Sequence, residues 1–352
     1  MLRKIYNIIY KAIFSCKWEN PSLYKIYEKK EKPFENLKVD FEDGEINKHF
    51  IEDNKNWFHN EHLYLIKNIC HIEPGNMIVI VNLNHIIWES TGSKDAKISL
   101  TGYLKYLLKF QTKIIKLENA ILFDNKLGSN YFHFFSDILS KIYFLDKFNI
   151  DQNLPLIVSN KTFCTKYFQY IYNHTELKNR NWIVQDDKTW IKANNLYLVK
   201  PLPYNLIYWQ NILHLLNFSI NPAPHNRIFI TRSKARGRYI KNMDEIEAIL
   251  TKYSIKSVDT DNMDLVKQAD LFSNASLIIS IHGAGNANLM FTNKNKVRFL
   301  EIIPNNRISC HYFWLSTMFG INYVPLKGCE IEADGSFYLS PQSLENLIIK
   351  ML

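Results

Sequence analysis

The sequence predicts an α/β protein of two domains, on three observations. The chain has 352 residues, more than one ordinary core takes up. Hydrophobic residues make up 47% and charged residues 22%, the balance of a globular chain and not of a disordered one. From Met77 onward, short apolar runs rich in β-branched residues alternate with stretches of helical period, the pattern of strands and helices in succession.

In chain order, residues 1–14 mix bases with apolar residues. Leu2, Ile5, Ile9, Ala12 and Ile13 share one helical face there, and no clean apolar core or small-residue cleavage site follows. A helix lying on a membrane surface and a terminal helix packed on the body both fit. Residues 18–62 are polar with alternating charge, as in Glu28-Lys29-Lys30-Glu31-Lys32-Pro33, and read as surface loops and short elements. Strands are predicted at Met77–Val81, Lys113–Leu117, Leu156–Val158 and Leu196–Val199, with helices around 131–147 and 161–173; this alternation predicts a parallel sheet covered on both faces. The Pro- and Asn-rich stretch 217–226 is a stiff connector, which sets the domains at 1–220 and 221–352. Beyond it, strands at Arg227–Thr231, Ser257–Val258, Leu277–Ile281, Val297–Ile303 and Asn322–Val324 alternate with helices at Met243–Tyr253 and Leu265–Ser273, a Rossmann-like half.

Composition narrows the partners. The formal net charge of +9 favours anionic ones. The lysines are scattered and no zinc-finger, basic-zipper or RNA-binding signature occurs, so nucleic acid is disfavoured against a phosphorylated ligand or a membrane surface. Aromatics reach 14%, enough to fill large cores or to stack on sugars. The five cysteines are odd in number, widely spaced and without a C-x-x-C pair, which points to a reducing compartment. No run of 18 apolar residues is present.

Several groups carry chemistry. The strand at 277–281 runs into His282-Gly283-Ala284-Gly285, and Asn286-Ala287-Asn288-Leu289-Met290-Phe291 then starts a helix. A strand–glycine–helix turn presents free N–H groups at a positive helix end and lets backbone approach a phosphate closely. Position 288 is Asn, so this is not G-x-G-x-x-G, and no Gly-Lys-Ser/Thr of a P-loop occurs. Arg232, Arg236 and Arg238 follow the strand at 227–231, on the edge where such sheets bind ligands, and arginine suits phosphate. His133 and Asp137 are four apart and share a helical face, so the carboxylate can orient the imidazole and either can take a proton from a hydroxyl. Glu301, near the end of a buried strand, can take a hydroxyl pair or stand as a strand-end carboxylate. Asp259-Thr260-Asp261 matches D-x-D but precedes a helix, where Asp is a natural cap. His59 and His62 have metal-like spacing, and no third ligand completes a set.

Three blocks in order resemble glycosyltransferase family 61: Asn130-Tyr131-Phe132-His133 through Asp137; Ile228 to Arg232 with Arg238 and Asn242 through Glu245; and Gln268-Ala269 through His282-Gly283-Ala284-Gly285, Asn288, Phe291 and Glu301. The resemblance spans about 120 to 304. It implies a GT-B fold of two Rossmann-like domains facing a central cleft, with the acceptor on the N-terminal side and the nucleotide-sugar on the C-terminal side. It also implies inverting transfer without a metal or other cofactor. The diphosphate of a donor, UDP-linked by expectation, would meet Gly283, Ala284, Gly285 and Arg232. Asn286-Ala287 stands where the family commonly has Leu-Thr, a departure at the donor contact. The expected setting is a cytoplasmic bacterial enzyme, peripheral at the inner face of the membrane, that builds a lipooligosaccharide, lipopolysaccharide or capsule glycan. The rival is a non-catalytic nucleotide- or glycan-binding protein. An esterase using H-G-x-G as an oxyanion hole would need a G-x-S-x-G elbow, and none occurs in the chain.

Overall fold

The computed structural model describes residues 23–32, 34, 37–57, 59–82, 84–91, 97–109, 113–232 and 237–352. The segment 1–14 and Arg236 lie outside the described residues. The chain forms two compact units, Met1–Glu31 with Asn60–Pro203, and Lys32–His59 with Tyr204–Leu352. The division therefore falls at 203/204 and not at 220, for two reasons of packing. Helix α1 (Gly44–Asn56) buries Ile46 and Phe50, and Phe50 stacks on Phe313 of the second unit at 5.3 Å. Trp209, fully buried, packs edge-on to Phe319 at 5.7 Å, which ties residues 206–215 to the same body.

The first unit holds β1 (Leu23–Glu31), β2 (His59–Ile72), β3 (Val79–Val81), β4 (His85–Ile87), β5 (Lys113–Leu122), β6 (Leu156–Ser159), β7 (Trp182–Gln185) and β8 (Thr189–Lys200). They form one eight-stranded sheet in the order β4-β3-β2-β8-β5-β6-β7, with β1 on β2. The expected all-parallel sheet is corrected: β2 runs antiparallel to β3 and β8, while β5 is parallel to β8 and β6, and β6 to β7. Short turns join β2 to β3 and β3 to β4, and such turns join antiparallel neighbours, because a parallel crossover needs a dozen or more residues. The stretch 18–62 is likewise more ordered than loops, holding β1 and α1. Strand β1 is polar and largely exposed. Tyr27 to Glu61 (2.9 Å) and Tyr64 to Glu28 (2.7 Å) hold it against β2.

Helix α2 (Leu100–Leu107) sets Tyr103 and Tyr106 on Ile78, Ile80, Ile86 and Trp190. Helix α3 covers Tyr131–His133, Phe134–Leu139 and Ser140–Lys147, the middle segment in π form. Asn130 caps it by accepting from the N–H groups of Phe132 and His133. Helices α4 (Asn160–Phe163) and α5 (Lys166–His174) complete this unit.

The second unit adds α6 (Leu206–Leu215) and then β9 (Asn226–Ile230), β10 (Tyr239–Ile240), α7 (Met243–Lys252), β11 (Lys256–Val258), α8 (Leu265–Ser273), β12 (Ala275–Ile281), β13 (Arg298–Pro304), α9 (His311–Phe319), β14 (Asn322–Gly328), β15 (Ser336–Phe337) and α10 (Pro341–Met351). A five-stranded parallel sheet runs β11-β9-β12-β13-β14, beside a small β10-β15 pair. Its strands are apolar on both faces, with Ile279, Leu300 and Ile302 fully buried, as a covered parallel sheet requires. Helices α7 and α10 close one layer through Ile246, Leu250, Leu344 and Ile348.

Phe50→Ala removes a fully buried ring packed on Phe313 of the second unit, and is expected to cost about 3–5 kcal/mol. A urea denaturation curve of the variant against the parent chain checks this through the shift of its midpoint.

Candidate active site

In an open α/β sheet, ligands bind outside the carboxyl ends of the strands, where the strand order reverses. In the second unit the chain passes from β9 to β11 on one side, then returns to β12 on the other. The crevice is thus between the carboxyl ends of β9 and β12, paired in register through Ile230 and Ser280. Arg232 lies two residues past β9 and His282 directly past β12.

Both available guanidinium groups turn onto this point. Arg232 Nη1 donates to the His282 carbonyl at 3.2 Å, and Arg238 Nη1 donates to the same oxygen at 2.8 Å. Arg238 holds a left-handed backbone (φ 55°) directly after Gly237 (φ 64°), a strained conformation that aims its side chain back over the sheet edge. Burial pushes the Arg238 pKa down and the nearby Arg307 charge adds to the effect, while Tyr312 and Glu301 oppose it. Gly283 has an extended backbone (φ 176°) open to any residue; its need for glycine is steric. A Cβ there would sit 1.9 Å from Arg232 Nη1. Gly285 faces open space instead. A 3-10 helix follows over Ala284–Phe291, tighter than an α-helix, with its first N–H groups at the turn.

The imidazole of His282 is fixed from behind. Its Nδ1 lies 2.7 Å from Glu301 Oε1, and Tyr323 donates to Glu301 Oε2 at 2.6 Å. Glu301, expected as a hydroxyl-pair acceptor or a strand-end carboxylate, is fully buried, with one oxygen against His282 and the other on Tyr323. Tyr312 packs edge-on to His282 at 5.1 Å. Its hydroxyl pKa is raised by burial and by the Glu301 charge, which keeps the O–H a donor. Asn288 is also turned inward: fully buried, it donates to Gln268 on α8 at 2.8 Å and anchors the 3-10 helix from within. Sequence reading missed Tyr312 and Tyr323, which carry no motif. The aromatic run of α9 is the one signal for Tyr312, and Tyr323 lies in β14. Of the D-x-D, Asp259 accepts from the N–H of Asp261 at 2.8 Å, a local turn contact.

In the first unit, α3 brings its predicted pair together: His133 Nδ1 lies 2.8 Å from Asp137 Oδ2, and Ser136 donates to Asp137 Oδ1 at 2.6 Å. Burial opposes charge on each, yet the pairing prevails: the His133 pKa is raised and that of Asp137 is lowered. The π segment between them is a feature often found at functional sites. Asp137 also lines a cavity of about 650 Å³ at the carboxyl ends of β5 and β8, together with Asp124, Lys141 and Lys200. That volume is in the range of a ligand site. His62 sits in its wall, stacked on Tyr64 at 4.2 Å and held neutral by burial, with its pKa pushed down to about 3.

The second unit thus sets arginines and a glycine turn at the reversal point of its parallel sheet, and the first unit presents a His–Asp pair beside a cavity. Residues 131–298 match the family model of Glycosyltransferase 61, the family that the three sequence blocks resemble. None of the curated proteins matches the chain. No helix among the described residues is long and apolar enough to cross a membrane.

Gly283→Ala is expected to displace the Arg232 guanidinium; on the expectation that the turn holds the diphosphate of a UDP-linked donor, UDP binding should weaken roughly 10- to 100-fold, the loss of one charged hydrogen-bonding group. Titration calorimetry of UDP against parent and variant measures it, and an unchanged affinity excludes this role for the glycine.

Proposed function

We propose that the chain is an inverting, metal-independent glycosyltransferase of the GT-B type, moving a hexose or pentose from a nucleotide-sugar donor, UDP-linked, to a lipooligosaccharide, lipopolysaccharide or capsule glycan at the cytoplasmic face of the membrane. The observation that carries this reading is the convergence of Arg232 and Arg238 on the His282 carbonyl, above the glycine turn at the sheet's reversal point. A diphosphate set there meets two cations and the first N–H groups of the 284–291 helix, fixed before the reaction begins. In one displacement, the acceptor hydroxyl oxygen bonds to the anomeric carbon as the bond from that carbon to the diphosphate oxygen breaks. The electron pair departs with the diphosphate, and these fixed charges take over the stabilising role that a metal ion has elsewhere.

The acceptor proton goes to His133. With Nδ1 donating to Asp137, Nε2 carries the free pair that accepts it. Support for assigning the acceptor to the first unit comes from the cavity that Asp137 lines.

A thermal-shift screen of UDP-, GDP-, CMP- and dTDP-sugars, followed by a hydrolysis and transfer assay on those that bind, tests the reading. Arg232→Ala should lower kcat/KM about 10²- to 10³-fold. Undiminished transfer by that variant removes the donor-site assignment, and donor binding with neither hydrolysis nor transfer favours a binding protein. A pH profile tests the base. His133 must be neutral to act and its pKa is raised, so kcat/KM should climb with pH through a midpoint above the ordinary histidine value. In Asp137→Asn the raising charge is gone, so that midpoint should move to lower pH while the plateau falls by about 10²-fold or more.

A further inference from the structure

The first-unit cavity has a charge arrangement that assigns a class of acceptor, granted the reading above that the acceptor binds there. Its carboxylates are largely occupied. Glu28 accepts from Lys25 (2.7 Å), Tyr64 (2.7 Å) and Asn60 (3.3 Å). Asp124, fully buried, accepts from the N–H and the hydroxyl of Ser159 (3.0 and 2.5 Å) and from the N–H of Asn125 (2.8 Å). Asp137 is held by His133 and Ser136. Glu89 is the remaining carboxylate of the lining.

The lysines are in the opposite condition. Lys141, on α3 one turn beyond Asp137, is 4% exposed, and its ammonium donates to a single partner, the Leu122 carbonyl at 3.2 Å. Two of its three N–H donors remain in a buried site that lines the cavity, an arrangement whose desolvation is compensated when an acceptor group arrives. Lys30 and Lys200 line the same space and form no ion pair among the described residues. The lining holds four lysines, Lys25, Lys30, Lys141 and Lys200, against four carboxylates; Lys141 feels the charges of Asp124 and Asp137, yet its ammonium keeps donors that neither carboxylate engages. Trp88 also lines the cavity, an aromatic side chain of the kind on which a sugar ring packs.

We propose that this cavity takes an acceptor sugar bearing an anionic group, a carboxylate or a phosphate, and that Lys141 is the specificity-determining contact for that group, with Lys30 and Lys200 contributing from the lining. Lys141 lies one helical turn from Asp137, the partner of His133, so an anion held by its ammonium sits one turn from the His–Asp pair.

The test uses the full chain saturated with UDP, so that the arginine turn of the second unit is filled. Glucuronate and N-acetylneuraminate serve as carboxylate probes, galactose 6-phosphate as the phosphate probe, and glucose and galactose as neutral controls, with affinities read by saturation-transfer NMR titration. At least one anionic probe should bind ten-fold or more tighter than the neutral sugars, and Lys141→Met should abolish that preference, Lys200→Met weakening it less. Preference for carboxylates or for the phosphate identifies which group is read. Equal binding of neutral and anionic sugars, binding of none up to tens of millimolar, or a preference that survives Lys141→Met would overturn the proposal. UDP affinity of the Lys141→Met chain is the control for folding: its retention with loss of acid preference separates this inference from the donor reading, which fails independently if the parent chain does not bind UDP.

Discussion

The second unit is organised around one close approach, the Arg232 guanidinium lying over Gly283 on the carbonyl of His282. The approach needs three things at once. Strands β9 and β12 must be neighbours, which puts residue 232 beside residue 282. Position 283 must lack a Cβ, because one would overlap Nη1. The carbonyl must also point at the arginines, so the His282 ring is locked on its far side by Glu301. Arg238 then meets the same oxygen from a second direction. Each of these requirements is local, yet together they explain why a parallel sheet in the 2-1-3-4-5 order ends in this turn.

Burying Glu301 is costly unless both its oxygens are bonded and its charge is balanced. The structure meets the first condition with His282 and Tyr323, and the second with the guanidinium groups nearby. Asp124 in the first unit follows the same logic with hydroxyl and backbone donors and the Lys141 charge nearby; burial raises its pKa, and the bonds from Ser159 and Thr162 oppose that rise. The two buried carboxylates therefore differ in kind. One relays orientation to an imidazole at a sheet edge, whereas the other ties β5 to β6 and closes against Gly128, where a Cβ would sit 1.8 Å from its oxygen.

Most of the second unit is legible in the sequence because its strands are short, apolar and bounded by polar turns. Leu277–Ile281 is embedded in β12, and the helix at Leu265–Ser273 is matched residue for residue by α8. The first unit is less legible. Strand β1, with the sequence Leu-Tyr-Lys-Ile-Tyr-Glu-Lys-Lys-Glu, has no buried face to leave an alternating pattern, and is a strand because β2 offers it hydrogen bonds. The mixed sheet is set by turn lengths near residues 73–84 more than by apolar periodicity. At the sites, residue types announced themselves but their roles did not. Asn288 and Glu301 belong to the right motif, and only burial reveals that they act from inside. Lys141 carries no motif, and nothing but its position four residues beyond Asp137 hinted at it.

The His133–Asp137 pair leaves two residues able to take a proton, and their environments separate them. Asp137 has one oxygen on the imidazole and the other on the Ser136 hydroxyl, and its pKa is lowered even against burial. Each contact stabilises the anion, so protonating Asp137 would forfeit both. His133 is the reverse. Asp137 stabilises its cation, raises its pKa and leaves Nε2 without a share in that bond. A stronger base is less often deprotonated at a given pH, so the gain is limited. The partial exposure of both side chains, 33% and 26%, keeps the pair from becoming a permanently charged bridge that water never reaches. In the proposed transfer, the carboxylate is therefore the partner that makes the histidine basic, and the histidine is the group that would receive the acceptor's proton.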